Sequence, residues 1–129
     1  MDCWDGEIDN KNEPIIYHGY TYTSKILFKD VLTEAVRPFA FFKSKYPLIL
    51  SIENHCSLEC QDKMAEYLEE ILDELLYKEP VNENKTQLPS PEQLCNKILI
   101  KAKKVYSPYP QGNVPLLRNI IYKTILQTY

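Results

Sequence analysis

The chain has 129 residues, 44% of them hydrophobic and 26% charged, which is the size and composition of one small globular domain. Its 15 basic and 18 acidic side chains give a net charge of -3, which argues against the broad positive surface of a nucleic-acid-binding domain. No stretch of roughly 18 apolar residues is present, so no transmembrane segment is predicted. The acidic N-terminus does not resemble a secretory signal, and the four cysteines are therefore expected to be reduced thiols in the cytosol.

The first half of the chain predicts a loop, an amphipathic helix and a strand. Residues 5–12 are polar, contain Gly and Asn, and are typical of a surface loop. Apolar residues then recur at helical spacing, which predicts a helix over 29–41. Pro38 is expected to kink or end that helix, because proline lacks a backbone donor. The apolar run at 48–52 predicts a strand.

The second half predicts two more helices and a last strand. Ser57 is a suitable N-cap for a helix whose apolar stripe runs from Met64 to Leu75. Residues 82–87 predict a polar loop, and the sequence from Ser90 to Gln93 has the form of a capping box that begins a short helix. That helix leads into a strand at 97–100. Strands that alternate with helices indicate an α/β protein with a parallel sheet.

Ionisable residues lie within or after the short apolar runs. His18 interrupts a first apolar run at 14–28, Glu53 follows the run at 48–52, and Lys101 and Lys103 follow the run at 97–100. In α/β barrels the C-terminal ends of the strands carry the active site. A histidine, a carboxylate and two lysines suit acid–base chemistry on a phosphate ester, assisted by a metal ion. The two lysines are also consistent with the solvated end of a strand.

Seven motifs occur in order along the chain: Asp2–Gly6, Ile16–Gly19, Thr23–Phe28, Tyr46–Pro47, Ser51–Ser57, Leu88–Pro91 and Lys97–Lys101. Together they resemble the X-box of eukaryotic phosphoinositide-specific phospholipase C. The resemblance covers residues 1–104 and lacks the N-terminal part of the X-box, whereas 105–129 form a divergent tail. In that family the X and Y regions together form a distorted (β/α)8 TIM-type barrel, of which this chain resembles the later part of the X half.

The resemblance implies an enzyme and a reaction. The family is a calcium-dependent phosphodiesterase that hydrolyses phosphatidylinositol 4,5-bisphosphate to diacylglycerol and inositol 1,4,5-trisphosphate in intracellular signalling. The inositol 2-hydroxyl attacks the phosphodiester, diacylglycerol leaves, and water opens the cyclic phosphate. Such an enzyme is expected to be cytoplasmic and peripheral at the inner face of the plasma membrane.

The motifs also imply roles for individual residues. His18 resembles the family's second catalytic histidine, the general acid for the leaving group. Asp2 and Glu53 resemble two ligands of the calcium ion (Ca²⁺), which hard carboxylate oxygens suit. Lys101 and Lys103 resemble residues that bind the phosphates of the inositol ring. The resemblance therefore implies calcium as the cofactor and a phosphoinositide lipid at a membrane surface as the partner.

The sequence departs from the family pattern at several points. The family carries a histidine–asparagine pair and a glutamate upstream of the residue that Asp2 matches, and none of the three is in this sequence. The Y half is a further expected partner that the sequence does not contain. One extra residue is present near Thr33 and Glu34, and Ala102 replaces a common glycine. From these departures the chain alone is expected to be inactive.

Two alternatives to the enzyme stay open. The first is a catalytically dead module that binds phosphoinositide or associates with other phospholipase halves, and Lys101 and Lys103 without the first histidine favour it. The second is a non-functional fragment.

Overall fold

The structure, a computed structural model, describes residues 1–79 and 89–102. They form a mixed five-stranded sheet in the order β3-β2-β1-β4-β5, with helical segments packed against one face. The strands are β1 (Asp2–Ile8), β2 (Lys11–Ile16), β3 (Ile26–Leu27), β4 (Leu48–Asn54) and β5 (Ile98–Ala102). The predicted α/β class is confirmed. The predicted parallel arrangement holds for β1, β4 and β5, but β2 is antiparallel to both β1 and β3.

A β-hairpin replaces the polar loop that the sequence predicted over 5–12. Ile8 of β1 pairs with Lys11 of β2, and Asp9 and Asn10 form the two-residue turn with φ angles of 51° and 59°. Positive φ at both turn residues is the geometry that fits the right-handed twist of a hairpin. Asp and Asn reach it at lower cost than other non-glycine residues. The loop prediction was wrong because polar composition alone does not distinguish a loop from an exposed hairpin.

The helical segment before β4 spans 28–39, close to the predicted 29–41. It consists of α1 (Phe28–Asp30), a π-helix (Val31–Val36) and α2 (Arg37–Phe39). It ends one residue after Pro38, in agreement with the predicted effect of that proline.

The π-helix accommodates one residue more than an α-helical turn. The Arg37 N–H donates to the carbonyl of Leu32, five residues back, where an α-helix would use the fourth. The extra residue that the family resemblance predicts near Thr33 and Glu34 would lie within this π-helix. Leu32 and Val36, on either side of it, both remain buried in the core.

The long helix was predicted correctly. It is α3 (Leu58–Leu72), followed by a short 3-10 turn (Asp73–Leu75). Ser57 is the N-cap, and its Oγ accepts a hydrogen bond from the Cys60 N–H at 3.5 Å. The Ser57 N–H in turn donates to Oδ1 of Asp5 at 2.9 Å. This hydrogen bond ties β1 to the start of α3.

The predicted capping box forms, but no helix follows it. The Ser90 N–H donates to Oε1 of Gln93 at 2.9 Å, and the Gln93 N–H donates to Oγ of Ser90 at 3.3 Å. Residues 91–96 are nevertheless turns. Asn96 has a φ of 58° and its N–H donates to the Lys45 carbonyl, so the chain leaves helical geometry before a second turn.

The hydrophobic core lies between the sheet and the helical segments. Side chains alternate along β4, so Leu50 and Ile52 are buried beneath the helices, whereas Ser51 and Glu53 are exposed on the opposite face. Other core residues are Cys3, Phe28, Leu32, Met64, Leu68, Leu72, Ile98 and Ile100. Ser51 and Glu53 therefore lie on the face away from the helices.

Some predictions concern residues that the structure leaves undescribed. The loop at 82–87, Lys103 and the tail at 105–129 all lie outside the described residues. Within 1–79 and 89–102, no helix is long and apolar enough to cross a bilayer.

Candidate active site

The two predicted calcium ligands are cross-strand neighbours. Asp2 at the start of β1 pairs with Glu53 near the end of β4, in a parallel ladder. The Glu53 N–H donates to the Met1 carbonyl at 2.9 Å, which fixes this register. Paired residues of adjacent strands present their side chains on the same face of the sheet. The register therefore places both carboxylates on one face, although they are 51 residues apart in sequence.

Lys101 belongs to the same face. It pairs with Ser51 across β4 and β5, and Ser51 lies two residues before Glu53. Because side chains two residues apart on a strand point the same way, Lys101, Ser51 and Glu53 share a face with Asp2. Lys101 is exposed there. One cation and two carboxylates thus lie on three neighbouring parallel strands.

His18 lies in the loop after β2, beside the start of β1. The Tyr17 N–H donates to the Asp2 carbonyl at 3.3 Å, which places His18 one residue from this contact. The His18 N–H donates to Oγ1 of Thr23 at 3.3 Å, and the Thr21 hydroxyl donates to the His18 carbonyl at 2.5 Å. The loop is therefore braced by its own threonines. The structure brings the backbone of His18 next to that of Asp2.

Trp4 fills the space between the His18 loop and the end of β4. Its ring stacks on His55 with centroids 4.0 Å apart and an interplanar angle of 15°. Its ring also contacts Tyr17 and Tyr20, at centroid distances of 5.7 and 5.5 Å. The backbone of Gly19 lies so close that a Cβ there would be 2.3 Å from Cζ2 of the indole. Trp4 thus contacts both neighbours of His18.

His55 connects this aromatic cluster to Glu53. Its Nε2 lies 3.4 Å from Oε1 of Glu53, whose side chain is 57% exposed. The sequence analysis assigned no role to either Trp4 or His55. The available signal was their position inside the first and fifth family motifs, immediately beside the predicted ligands. Neither the stacking nor the contact with Glu53 follows from sequence spacing.

The metal-binding capacity of the described residues is limited. Across 1–79 and 89–102, no cluster of three or more His, Cys, Asp or Glu side chains is placed to hold a metal ion. Asp2 and Glu53 supply hard carboxylate oxygens on one face, which is the correct donor chemistry for calcium. Calcium usually takes about six to eight oxygens, so any calcium ion at this face would need further ligands from other groups or from water.

The buried thiols have no part in this chemistry at neutral pH. Burial raises the pKa of Cys3 to about 12 and that of Cys60 to about 11. The pKa of Cys56 is also raised, chiefly by burial. All three belong to the hydrophobic core. Because the thiolate is the nucleophile and metal ligand, these protonated side chains act as core residues.

Comparison with known proteins identifies the family. The family described as phosphatidylinositol-specific phospholipase C, X domain, matches residues 1–104. The chain belongs to this family.

Several relatives are similar over most of this chain. The 1-phosphatidylinositol 4,5-bisphosphate phosphodiesterase delta-1 of Rattus norvegicus is 57% identical over 112 residues, which are 87% of this chain and 14% of the relative. The eta-2 enzyme of Mus musculus is 56% identical over 106 residues, or 81% of this chain and 7% of the relative. The crystal structure of S. officinalis PLC21 aligns with a TM-score of 0.72 and 45% identity, covering 84% of this chain and 14% of that chain. The chain therefore spans about a seventh or less of these proteins.

Proposed function

We propose that the protein is a phosphoinositide phospholipase C that hydrolyses phosphatidylinositol 4,5-bisphosphate to diacylglycerol and inositol 1,4,5-trisphosphate. The observation that carries the proposal is the shared sheet face of Asp2, Glu53 and Lys101, with His18 beside it. The names of the relatives describe the same phosphodiesterase activity for those proteins. The reaction would take place at the inner face of the plasma membrane, where the enzyme would bind peripherally from the cytoplasm.

We further propose that residues 1–104 form part of a distorted (β/α)8 barrel, completed by a Y half, with 105–129 as a divergent tail. Three parallel strands with helices on one face are the repeating arrangement of such a barrel. The inner face of a barrel sheet would then be the one that carries Glu53 and Lys101. Ile49 lies on this face and is 49% exposed, which fits a surface that other strands would cover.

Asp2 and Glu53 would hold a calcium ion between their carboxylates. When bound, the ion would lower the pKa of the attacking inositol hydroxyl and offset the negative charge that develops on the phosphate. The chain's own contribution is to keep two anionic side chains in adjacent register on one face. Each would lower the electrostatic cost of placing a cation next to the other.

His18 and Lys101 would act directly on the substrate. Histidine is the most common general acid in enzymes, so His18 suits the general acid that assists the leaving diacylglycerol oxygen. The ammonium of Lys101, together with that of Lys103, would bind phosphate groups of the inositol ring as compact point charges. Because nucleophile and phosphorus belong to one molecule, orientation accounts for much of the catalysis.

A catalytically dead phosphoinositide-binding or interaction module is the second candidate. It is favoured by the same observation that limits the metal site, namely that Asp2 and Glu53 are joined by no third His, Cys, Asp or Glu ligand among the described residues. In that case Lys101 would retain the headgroup while no hydrolysis follows. The two candidates predict the same lipid binding but different turnover.

Calcium-dependent hydrolysis of phosphatidylinositol 4,5-bisphosphate in mixed micelles tests the proposal. The protein, combined with the proposed Y half, is compared with its His18→Ala and Lys101→Met variants, and with Lys97→Met, just before the start of β5, as the matched control. The Lys97 ammonium donates to the Glu74 carbonyl, away from Glu53. Loss of turnover in the first two variants with retention in the third supports the enzyme. Lipid binding without turnover in the unmodified protein would support the dead module instead.

A further inference from the structure

We propose that His55 is a positioning residue that holds the carboxylate of Glu53 in the orientation needed to bind a divalent cation. The proposal rests on the cation-binding role given to Glu53 above. Glu53 is 57% exposed at its side chain, so packing alone does not select one rotamer. Its Oε1 lies 3.4 Å from Nε2 of His55. This contact restrains one carboxylate oxygen and leaves the other available to a cation.

His55 can do this because it is itself held firmly. Its ring stacks on Trp4 with centroids 4.0 Å apart, and its backbone N–H donates to the Cys3 carbonyl at 2.8 Å. Trp4 in turn packs against the backbone of Gly19 and the ring of Tyr17. The imidazole therefore has a fixed ring plane and a fixed backbone. Only a group with a fixed position can restrict a flexible, exposed carboxylate.

The contact is a polar contact at ion-pair range, with Nε2 and Oε1 3.4 Å apart. A nitrogen atom held at that position limits where Oε1 can lie. Partners of this kind orient metal-ligating carboxylates, and their removal typically weakens metal binding about 10- to 100-fold. Because the Glu53 side chain is largely exposed and the distance is 3.4 Å, we expect the low end, about 10-fold.

The same geometry supplies a direct assay. Trp4 is the single tryptophan of the chain and lies against His55. A terbium ion bound by Asp2 and Glu53 would be close enough to be excited through the indole. Terbium luminescence excited through Trp4, and its displacement by calcium, therefore report cation binding without any need for lipid turnover.

The variants separate the carboxylate contact from ring packing. His55→Phe keeps an aromatic ring on Trp4 but has no polar atom to contact Glu53. His55→Asn places its side-chain amide near the position of Nδ1, which is too far from the Glu53 carboxylate for contact. His55→Gln carries an amide nitrogen near the position of Nε2. Lys45→Gln is the control, because it removes an exposed ion pair of 3.0 Å with Glu92. Circular dichroism identifies the variants that fold.

We expect His55→Phe and His55→Asn to raise the half-saturating cation concentration about 10-fold, with His55→Gln close to the unmodified chain. Unchanged binding in a folded His55→Phe or His55→Asn chain would overturn the proposal. Equal weakening in His55→Gln would also overturn it, because the effect would then come from ring packing. Absence of terbium binding in the unmodified chain would overturn it together with the calcium site. Terbium binding with this pattern, but no lipid hydrolysis even when the protein is combined with the proposed Y half, would remove the proposed activity and leave the positioning role supported.

Discussion

Substitution of Gly19 by alanine should damage catalysis more than stability. Gly19 follows His18, and its Cα lies against the indole of Trp4. An added Cβ would be 2.3 Å from Cζ2 and 2.9 Å from Cε2 of that ring. The indole is not free to retreat, because its ring is stacked on His55 at 4.0 Å. The loop that carries His18 must therefore move.

The size of the movement follows from the contact distance. Ordinary contact begins at 3.4 Å, so the Cβ and the ring must separate by 3.4 minus 2.3, or about 1.1 Å. A displacement of about 1 Å in a catalytic group can lower the rate about 100-fold. Overpacking of this kind typically costs about 1–3 kcal/mol of folding stability. We expect Gly19→Ala to lose about 100-fold in kcat and to remain folded.

Gly6→Ala is the matched control in the same assay. A Cβ at Gly6 would lie 2.5 Å from Cγ2 of Ile15, so the crowding is similar but lies within the hairpin, away from His18. Urea unfolding is measured for both variants, and hydrolysis of phosphatidylinositol 4,5-bisphosphate is measured for both variants combined with the proposed Y half. Activity of Gly19→Ala within twofold of the unmodified protein would refute the reasoning, as would an equal loss of activity in Gly6→Ala.

Three further predictions concern the stability of the fold. Burial raises the pKa of Cys3 to about 12 and of Cys60 to about 11 from 9.0, so the unfolded chain releases these protons first as the pH rises. The free energy of unfolding in urea should therefore fall above pH 9 by about 1.4 kcal/mol per pH unit for each thiol; a flat profile from pH 9 to 11 would contradict this. Deletion of Glu34 should convert the π-helix to an α-helix and change the unfolding free energy by less than about 1 kcal/mol. Deletion of Glu66 inside α3 should instead unfold the chain, because it rotates the following core residues by about 100°. Equal destabilisation by both deletions would count against the insertion. Ser57→Ala should lower the unfolding free energy by about 1 kcal/mol through loss of the N-cap, and an unchanged value would show that Oγ contributes nothing there.

Local patterns predicted those elements whose stability is local. The stripe from Met64 to Leu75 and the cap at Ser57 predicted α3, because helix periodicity and capping depend on residues only three or four positions apart. The strand at 48–52 was predicted from its own apolar run, and in the structure it extends to Asn54. The segment after Ser90 shows the limit of this approach. Its capping box forms, yet a hydrogen bond from Asn96 to Lys45, across 51 residues, ends the turn before a helix develops.

The candidate site could be predicted only in part, because it depends on register. Sequence motifs named His18, Asp2, Glu53 and Lys101, but nothing local states that residue 2 pairs with residue 53 or that residue 51 pairs with 101. A shift of one residue in either ladder would move a side chain to the opposite face. The contacts of His55 could not be predicted for a related reason. Its ring contacts Glu53 and stacks on Trp4, which belongs to a strand far away in sequence.

The π-helix offers a way to fit the extra residue that the family resemblance predicts without a change in this register. The predicted insertion near Thr33 lies between the loop of His18 and the strand of Glu53. In a continuous α-helix, one added residue would rotate all the following residues by about 100°. Either Val36 would then leave the core, or β4 would shift its register in the sheet. The hydrogen bond from the Arg37 N–H to the Leu32 carbonyl, five residues back, would take up such a residue within a single turn. Leu32 and Val36 both stay buried, and β4 can keep the pairing on which the candidate site depends.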